Sequence, residues 1–221
     1  MSVQIINLVK KIRRTTVLDN ISCSLNPGVV YTIRGENGSG KTMLLRAIAG
    51  LIRPTSGKVL IDGQELKKDI EFPPSIGLLV DSPSFLPKYT GLQNLSLLAS
   101  IKSLISTDEV KQALELVGLD PLDKRPYGKY SLGMKKRLAI ACATMEKPRI
   151  VLLDEPFNAL DESGVMMAKE IIESVRREGR LIVVASHDAT ELGEMEEMRL
   201  IMHHGRLIDS VNMKPRASGN A

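Results

Sequence analysis

An α/β fold with a mostly parallel sheet is what the sequence predicts, and three observations predict it. Strand-like and helix-like runs alternate along most of the 221 residues. Two of the strand-like runs, 150–153 (IVLL) and 181–185 (LIVVA), are apolar without interruption, the pattern of strands covered on both faces. An earlier strand-like run, 29–33 (VVYTI), passes through a glycine-rich loop into a helix-like run.

The elements follow in order. After the strand at 29–33 and the loop, residues 42–49 read as a helix with Leu44, Leu45 and Ile48 on one face. Residues 58–61 and 76–80 are further short strands. From 90 to 145 the pattern is helical, with candidate helices at 91–105, 107–117 and 131–145. Thr107, with Asp108 and Glu109 behind it, reads as a capped start. The simplest architecture is a helical insertion in an α/β core. The strand at 150–153 leads to a helix at 161–178, with acids in its first turn, Arg176 and Arg177 in its last, and Gly179 as its stop. With the strand at 181–185 this makes a βαβ unit. His203 and His204 precede Gly205 in what reads as a terminal hairpin, without the further ligands a metal site requires. The stretch 212–221, with Pro215 and Gly219, is polar and expected to fray.

Composition narrows the function. Hydrophobic residues make up 43%, enough for a core, and charged residues 25%, so wholesale disorder is excluded. The longest stretch free of Asp, Glu, Lys and Arg is 20–33, only 14 residues, and it contains Asn20, Asn26, Pro27 and Gly28. A bilayer span needs about 20 apolar residues, so the chain is not expected to cross a membrane. The apolar run at 5–9 precedes its basic residues rather than following them, unlike a signal peptide. Net charge is +4, but the basic clusters at 10–14, 135–137 and 176–180 are small and far apart. With aromatics at 3% and no Trp, a base-stacking surface for nucleic acid is not expected. Cys23 and Cys142 are isolated and read as reduced core cysteines.

The chemistry concentrates in three segments. Residues 35–42 (GENGSGKT) satisfy G-x-x-x-x-G-K-[ST], after a strand and before a helix. Gly35, Gly38 and Gly40 permit a tight turn that aims backbone N–H groups at phosphate oxygens, and the helix N-terminus adds partial positive charge. The cradle runs through Gly35, Glu36, Asn37, Gly38, Ser39, Gly40, Lys41, Thr42 and into Met43. Lys41 can reach β- and γ-phosphates and the Thr42 hydroxyl can ligate Mg²⁺. In 150–156 (IVLLDEP) an apolar strand ends in two carboxylates. Asp154 is placed to hold Mg²⁺ directly or through water, and Glu155 to act as general base for water. His187, after the strand at 181–185, is placed to hydrogen-bond a γ-phosphate.

Together these residues resemble the nucleotide-binding subunit of ABC transporters, over about 3–211. The order and spacing of the segments carry the resemblance. Residues 130–134 (YSLGM) stand where the family has its LSGGQ signature; Ser131 and Gly133 match, while Tyr130, Leu132 and Met134 depart. Residues 158–161 (NALD) resemble the D-loop, implying that Asp161 couples two sites. The resemblance implies a P-loop NTPase core with a mostly parallel sheet, an N-terminal antiparallel β subdomain, and an inserted α-helical subdomain at about 86–146, within a domain of 1–211. It implies ATP hydrolysis with Mg²⁺, and two ATP molecules sandwiched in a head-to-tail dimer, where Ser131 and Gly133 of one subunit meet the γ-phosphate on the other. A separate transmembrane permease subunit is implied, with this chain at the cytoplasmic face of the membrane beside a second ATP-binding subunit, a homodimer ahead of a heterodimer.

Two departures sharpen the reading. Where the family carries a Gln after the strand at 76–80, this chain has Asp81. That carboxylate is shorter than Gln by about 1.5 Å and brings a negative charge toward the γ-phosphate, which Mg²⁺ can offset. Asp81 therefore joins Glu155, His187 and Lys41 as a candidate catalytic residue, and Thr42 and Asp154 as a candidate metal contact. An acidic residue here, with an SLGM-type signature, resembles the bacitracin and lantibiotic branch of ABC exporters. Second, many members stack adenine on an aromatic residue before the cradle, where this chain has Ile12. Stacking contributes about 1–3 kcal/mol, so its loss weakens ATP binding about 5- to 150-fold. Rival classes lack their marks. No NKxD guanine motif is present, and no long coiled coil, Cys-rich zinc element or second cassette suggests work on DNA or ribosomes.

Overall fold

The computed structural model describes residues 1–80, 84–187, 192–195 and 198–212. Two long strands open the chain, β1 (Val3–Ile12) and β2 (Thr15–Leu25), followed by β3 (Val30–Arg34) and helix α1 (Lys41–Ile48). Strands β4 (Ser56–Ile61), β5 (Gln64–Glu65) and β6 (Ile76–Leu79) come next. The helical stretch is α2 (Gly91–Lys102), α3 (Thr107–Leu116) and α4 (Leu132–Thr144). Then follow β7 (Ile150–Asp154), α5 (Glu162–Arg177), β8 (Leu181–Ser186) and the hairpin β9 (Met198–His203) and β10 (Arg206–Asn212).

The central sheet has the order β10-β9-β3-β8-β7-β6. From β9 to β6 every pairing is parallel, and only β10 runs antiparallel, at one edge. A second sheet, β2-β1-β4-β5, is antiparallel throughout. The central strands alternate between two cores. Val30 of β3, Val151 and Leu153 of β7, and Ile182 and Val184 of β8 face the core built with α2 to α5. Tyr31 and Ile33, Ile150 and Leu152, and Leu181, Val183 and Ala185 face the core shared with α1 and the antiparallel sheet. With both faces covered, every residue of β7 and β8 is buried, which is why those runs carry no polar alternation. No described helix is long and apolar enough to cross a membrane.

Some boundaries differ from expectation, for local reasons. The cap of α3 is Ser106, not Thr107. Ser106 is extended and its hydroxyl accepts from Glu109 N, while the Glu109 carboxylate accepts from Ser106 N at 2.8 Å, a reciprocal capping box. Helix α2 ends at Lys102 rather than 105, because Ser103 adopts a left-handed conformation (φ 53°) and donates its N–H to Ala99 O. Helix α4 begins one residue after Ser131, which caps it through Met134 N. Asp161 caps α5 in the same way through Gly164 N. Burial pushes the Cys23 and Cys142 thiols up to about 11, and neither is in a disulfide, in keeping with inert core cysteines.

Candidate functional site

The loop between β3 and α1 is shaped by backbone that only glycine tolerates. At Gly35 (φ 156°) a Cβ would run into the Met202 carbonyl oxygen and lie 2.6 Å from Ser39 Oγ. At Gly40 (φ 105°) it would lie 2.9 Å from Val17 O. The loop is therefore pressed against β9 on one side and β2 on the other. Gly205, in the turn between β9 and β10, donates its N–H to Ser39 O at 2.9 Å and so braces the loop from behind.

Lys41 opens α1 and is buried. Its ammonium donates to Gly35 O (2.6 Å) and Glu36 O (3.2 Å) and lies 3.9 Å from a Glu155 carboxylate oxygen. Thr42, the next residue, donates its hydroxyl to Asp154 Oδ2 at 2.6 Å. Asp154 is buried at the tip of β7, and Glu155 follows it. Because a carboxylate can only accept, His187 Nδ1 donates to Glu155 Oε2, at 2.8 Å. His187 stands just past β8, the strand paired in parallel with both β3 and β7. Parallel register thus brings three strand ends to one place, the crevice where open α/β sheets bind ligands.

A cavity of about 330 Å³ opens there, lined by Val17, Asn37, Gly38, Gly40, Lys41, Thr42, Met43 and Glu155. It combines a helix N-terminus, glycine backbone and a buried lysine on one wall with a carboxylate on the other. The first set suits a phosphate chain. At the Thr42–Asp154 contact the donors are two hard oxygens. Among the described residues no group of three or more His, Cys, Asp and Glu side chains could cage a metal. A small divalent cation that keeps waters and takes phosphate oxygens fits such a sparse donor set.

Glu155 itself has φ 47°, a left-handed conformation that costs a non-glycine residue about 1–3 kcal/mol. Its N–H donates to Ala185 O, and its carbonyl accepts from Lys136 Nζ, both at 2.9 Å. Lys136 lies on α4, and Arg137 beside it reaches Asp161 Oδ1 (2.9 Å), Ser163 Oγ (3.0 Å) and Val117 O (3.0 Å). Gly164 N–H first, then the Ser163 hydroxyl and Arg137, hold the exposed Asp161 carboxyl below its ordinary range.

Sequence and structure agree on most of the gathering. Gly35, Glu36, Ser39, Gly40, Lys41, Thr42, Asp154, Glu155 and His187 form one bonded neighbourhood, and Asn37, Gly38 and Met43 line its cavity. Ser131 and Gly133 do not line that cavity; they stand at the N-terminus of α4, with Ser131 exposed. Asp81 lies outside the described residues. Ile12 is 44% exposed, on β1. Tyr130, which departs from the family signature, is buried and accepts Gly91 N with its hydroxyl at 3.2 Å, pinning the start of α2. Two neighbours escaped the sequence reading. Val17 lines the cavity from β2, and Lys136 holds the Glu155 carbonyl. For Lys136 the only signal was the basic run 135–137.

The comparisons with known proteins point to one family. The family model described as "ABC transporter" matches residues 18–158. An uncharacterised ABC transporter ATP-binding protein of Bacillus subtilis, YybJ, is 45% identical over 205 residues, covering 93% of this chain and 94% of that protein. The bacitracin transport ATP-binding protein BcrA of Enterococcus faecalis is 35% identical over 209 residues, covering 94% and 68%. Among solved structures, a dimeric bacterial ABC transporter cassette superposes with a TM-score of 0.87 at 24% identity, covering 96% and 99%.

Proposed function

Given that the chain belongs to the ABC transporter family, as one of its ATP-binding subunits, we propose that it hydrolyses ATP at the cavity between α1 and β7 to drive export through a separate membrane subunit. The observation that carries this is the convergence of Lys41 and Thr42 with Asp154, Glu155 and His187 at the ends of parallel strands. The loop 35–42 and Lys41 take the β- and γ-phosphates, with Met43 and Val17 along the wall. Thr42 and Asp154 would hold Mg²⁺, which would supply positive charge to offset that of the phosphates. Glu155 takes the proton from the attacking water. His187, hydrogen-bonded to Glu155, orients that carboxylate and meets the γ-phosphate. Asp81, which follows β6 in the sequence, is a further candidate for work at the γ-phosphate.

Ser131 and Gly133 complete the site of a second copy, closing over its ATP head to tail. Their placement at an exposed helix N-terminus away from their own cavity supports this, since such an end suits an anion brought by another molecule. A homodimer is the simpler assembly. The permease would sit on the helical subdomain, about 86–146 of a 1–211 domain, with the chain at the cytoplasmic membrane face. Leu97, Ile101 and Leu104 on and after α2 are 49%, 76% and 65% exposed, an apolar row that suits a partner. Relationship to BcrA, named for bacitracin transport, supports a peptide antibiotic as cargo.

The test uses Glu155→Gln. That variant is expected to retain ATP binding and lose about 10²–10⁴-fold in turnover, the contribution of a positioned base; near-parental turnover would remove Glu155 from the chemistry. Purified with ATP and Mg²⁺ from detergent-solubilised membranes of its own host, it should bring a multi-span membrane protein. Soluble partners or nucleic acid alone would overturn the transport reading.

A further inference from the structure

Lys136 occupies a position that a lysine does not take cheaply. It is half-buried on α4, and desolvation lowers its pKa, while the carboxylates of Asp154 and then Glu155 favour its charge. Its ammonium donates to the Glu155 carbonyl at 2.9 Å, a charge-assisted bond stronger than a neutral donor provides. That carbonyl belongs to the residue held in the left-handed conformation, φ 47°, whose side chain meets His187 at 2.8 Å. The backbone of Glu155 is thus gripped by Ala185 O on its N–H and, on its carbonyl, by Lys136 at 2.9 Å and at longer range by the Asn158 N–H at 3.4 Å. The Ala185 contact is sheet-like and ties Glu155 to β8. The Lys136 contact is a side-chain contact from another element.

We propose that Lys136 is a positioning residue for hydrolysis: by holding the Glu155 carbonyl it fixes the turn from which the Glu155 carboxylate is aimed at the nucleotide loop. The role stands on Glu155 being the general base. It also has a direction. Lys136 lies in the second turn of α4, the helix that Ser131 caps and Leu132 begins, so a displacement of the start of α4 is passed to Glu155 of the same subunit. Arg137, the next residue, passes the same displacement to Asp161. A subunit whose α4 is seated on a partner's ATP would therefore have its own base set.

Three variants of the full chain test this: Lys136→Met, which keeps the stem and removes the donor; Lys136→Arg, which keeps a charged donor; and Lys136→Gln, a second neutral replacement should the Met form melt early. Measured are kcat and KM for MgATP, affinity for a fluorescent ATP analogue, and melting temperature. Lys136→Met is expected to lose about 10- to 100-fold in kcat, as a misplaced reacting group does, with KM and analogue affinity within about threefold of the parent's, a split that uniform loss of binding would not give. Lys136→Arg should recover most of the rate, and Lys136→Gln should lose rate without losing affinity. In single-turnover assays, Lys136→Met added to Glu155→Gln should change the residual rate less than about twofold, the non-additivity of residues acting as a unit. A Lys136→Met or Lys136→Gln enzyme with parental kcat, or a loss fully additive with Glu155→Gln, would overturn the proposal. Near-parental turnover in Glu155→Gln alone would instead overturn the base assignment, so the two failures are distinct.

Discussion

Lys41 shows what a basic side chain gathers around itself when it is buried. Its ammonium is surrounded by oxygens, two carbonyls of its own loop and a Glu155 carboxylate further off. Phosphate oxygens can replace the carbonyls without leaving the charge unpaired, so the residue is pre-positioned rather than recruited. Hydrogen bonds to charged groups contribute about 1.5–3 kcal/mol. Lys41→Ala is therefore expected to weaken ATP binding about 10- to 100-fold, read by titration with a fluorescent analogue; native affinity in that variant would remove the loop from the site. At this scale the sequence was legible where the chemistry is local. Gly35 to Thr42 are contiguous, and the backbone needs of Gly35 and Gly40 are written in eight residues. Asp154, Glu155 and His187 were legible because each follows an apolar strand. Lys136 and Val17 were not, because their role depends on which elements pack together, and a lysine in a basic run carries no mark of what its nitrogen reaches.

Helix ends decide much of what the elements do here. Ser106, Ser131 and Asp161 each accept the N–H three residues on. Ser106 and Thr107 are both capping residue types, and the choice between them turns on the partner. Three residues after Ser106 stands Glu109, which can return the bond; three after Thr107 stands Val110, which is buried and cannot. β1 and β2 were legible only through the resemblance, because bulges shift their register at Ile5/Leu8 and beyond and break the alternation that would mark a strand. The far end of α5 makes its own prediction. Arg176, then Arg177, hydrogen-bond Glu173 and bring its pKa down to about 2. A carboxyl lowered on folding stabilises above its unfolded pKa, and that stabilisation is lost as pH falls through the folded value. Glu173→Gln should thus lose up to about 1 kcal/mol at neutral pH, the scale of a surface ion pair. In urea melts the difference from the parent should begin to shrink below about pH 4.5 and vanish near pH 2; a gap that stays constant with pH would show that the pair contributes nothing.

At the scale of the molecule, the central sheet is a wall common to two cores, and the site lies at its carboxyl end. On the proposed head-to-tail arrangement, the exposed start of α4 and the cavity at α1 would belong to different sites, and a single copy would present each half without its complement. With ATP and Mg²⁺, Glu155→Gln should double its mass in light scattering, while Ser131→Ala combined with Glu155→Gln should remain monomeric at the same concentration. A double variant that dimerises as readily as Glu155→Gln would place the contact elsewhere. The fold class was legible because continuous apolar runs force a covered sheet. The order of the strands was not, since β3 pairs with neither of its sequence neighbours.

That order has a consequence for the birth of the chain. β3, which carries the nucleotide loop, is flanked by β8 and β9, and Gly205 braces the loop from beyond both. On the ribosome, residues 35–42 emerge early and then wait for almost the whole remaining chain before either neighbour exists. Contacts so distant in sequence form slowly. Throughout that interval the unpaired backbone edges of β3 and its apolar faces are open to solvent and to chaperones. Nucleotide therefore finds its cradle fully braced only after β8, β9 and the turn at Gly205 are in place.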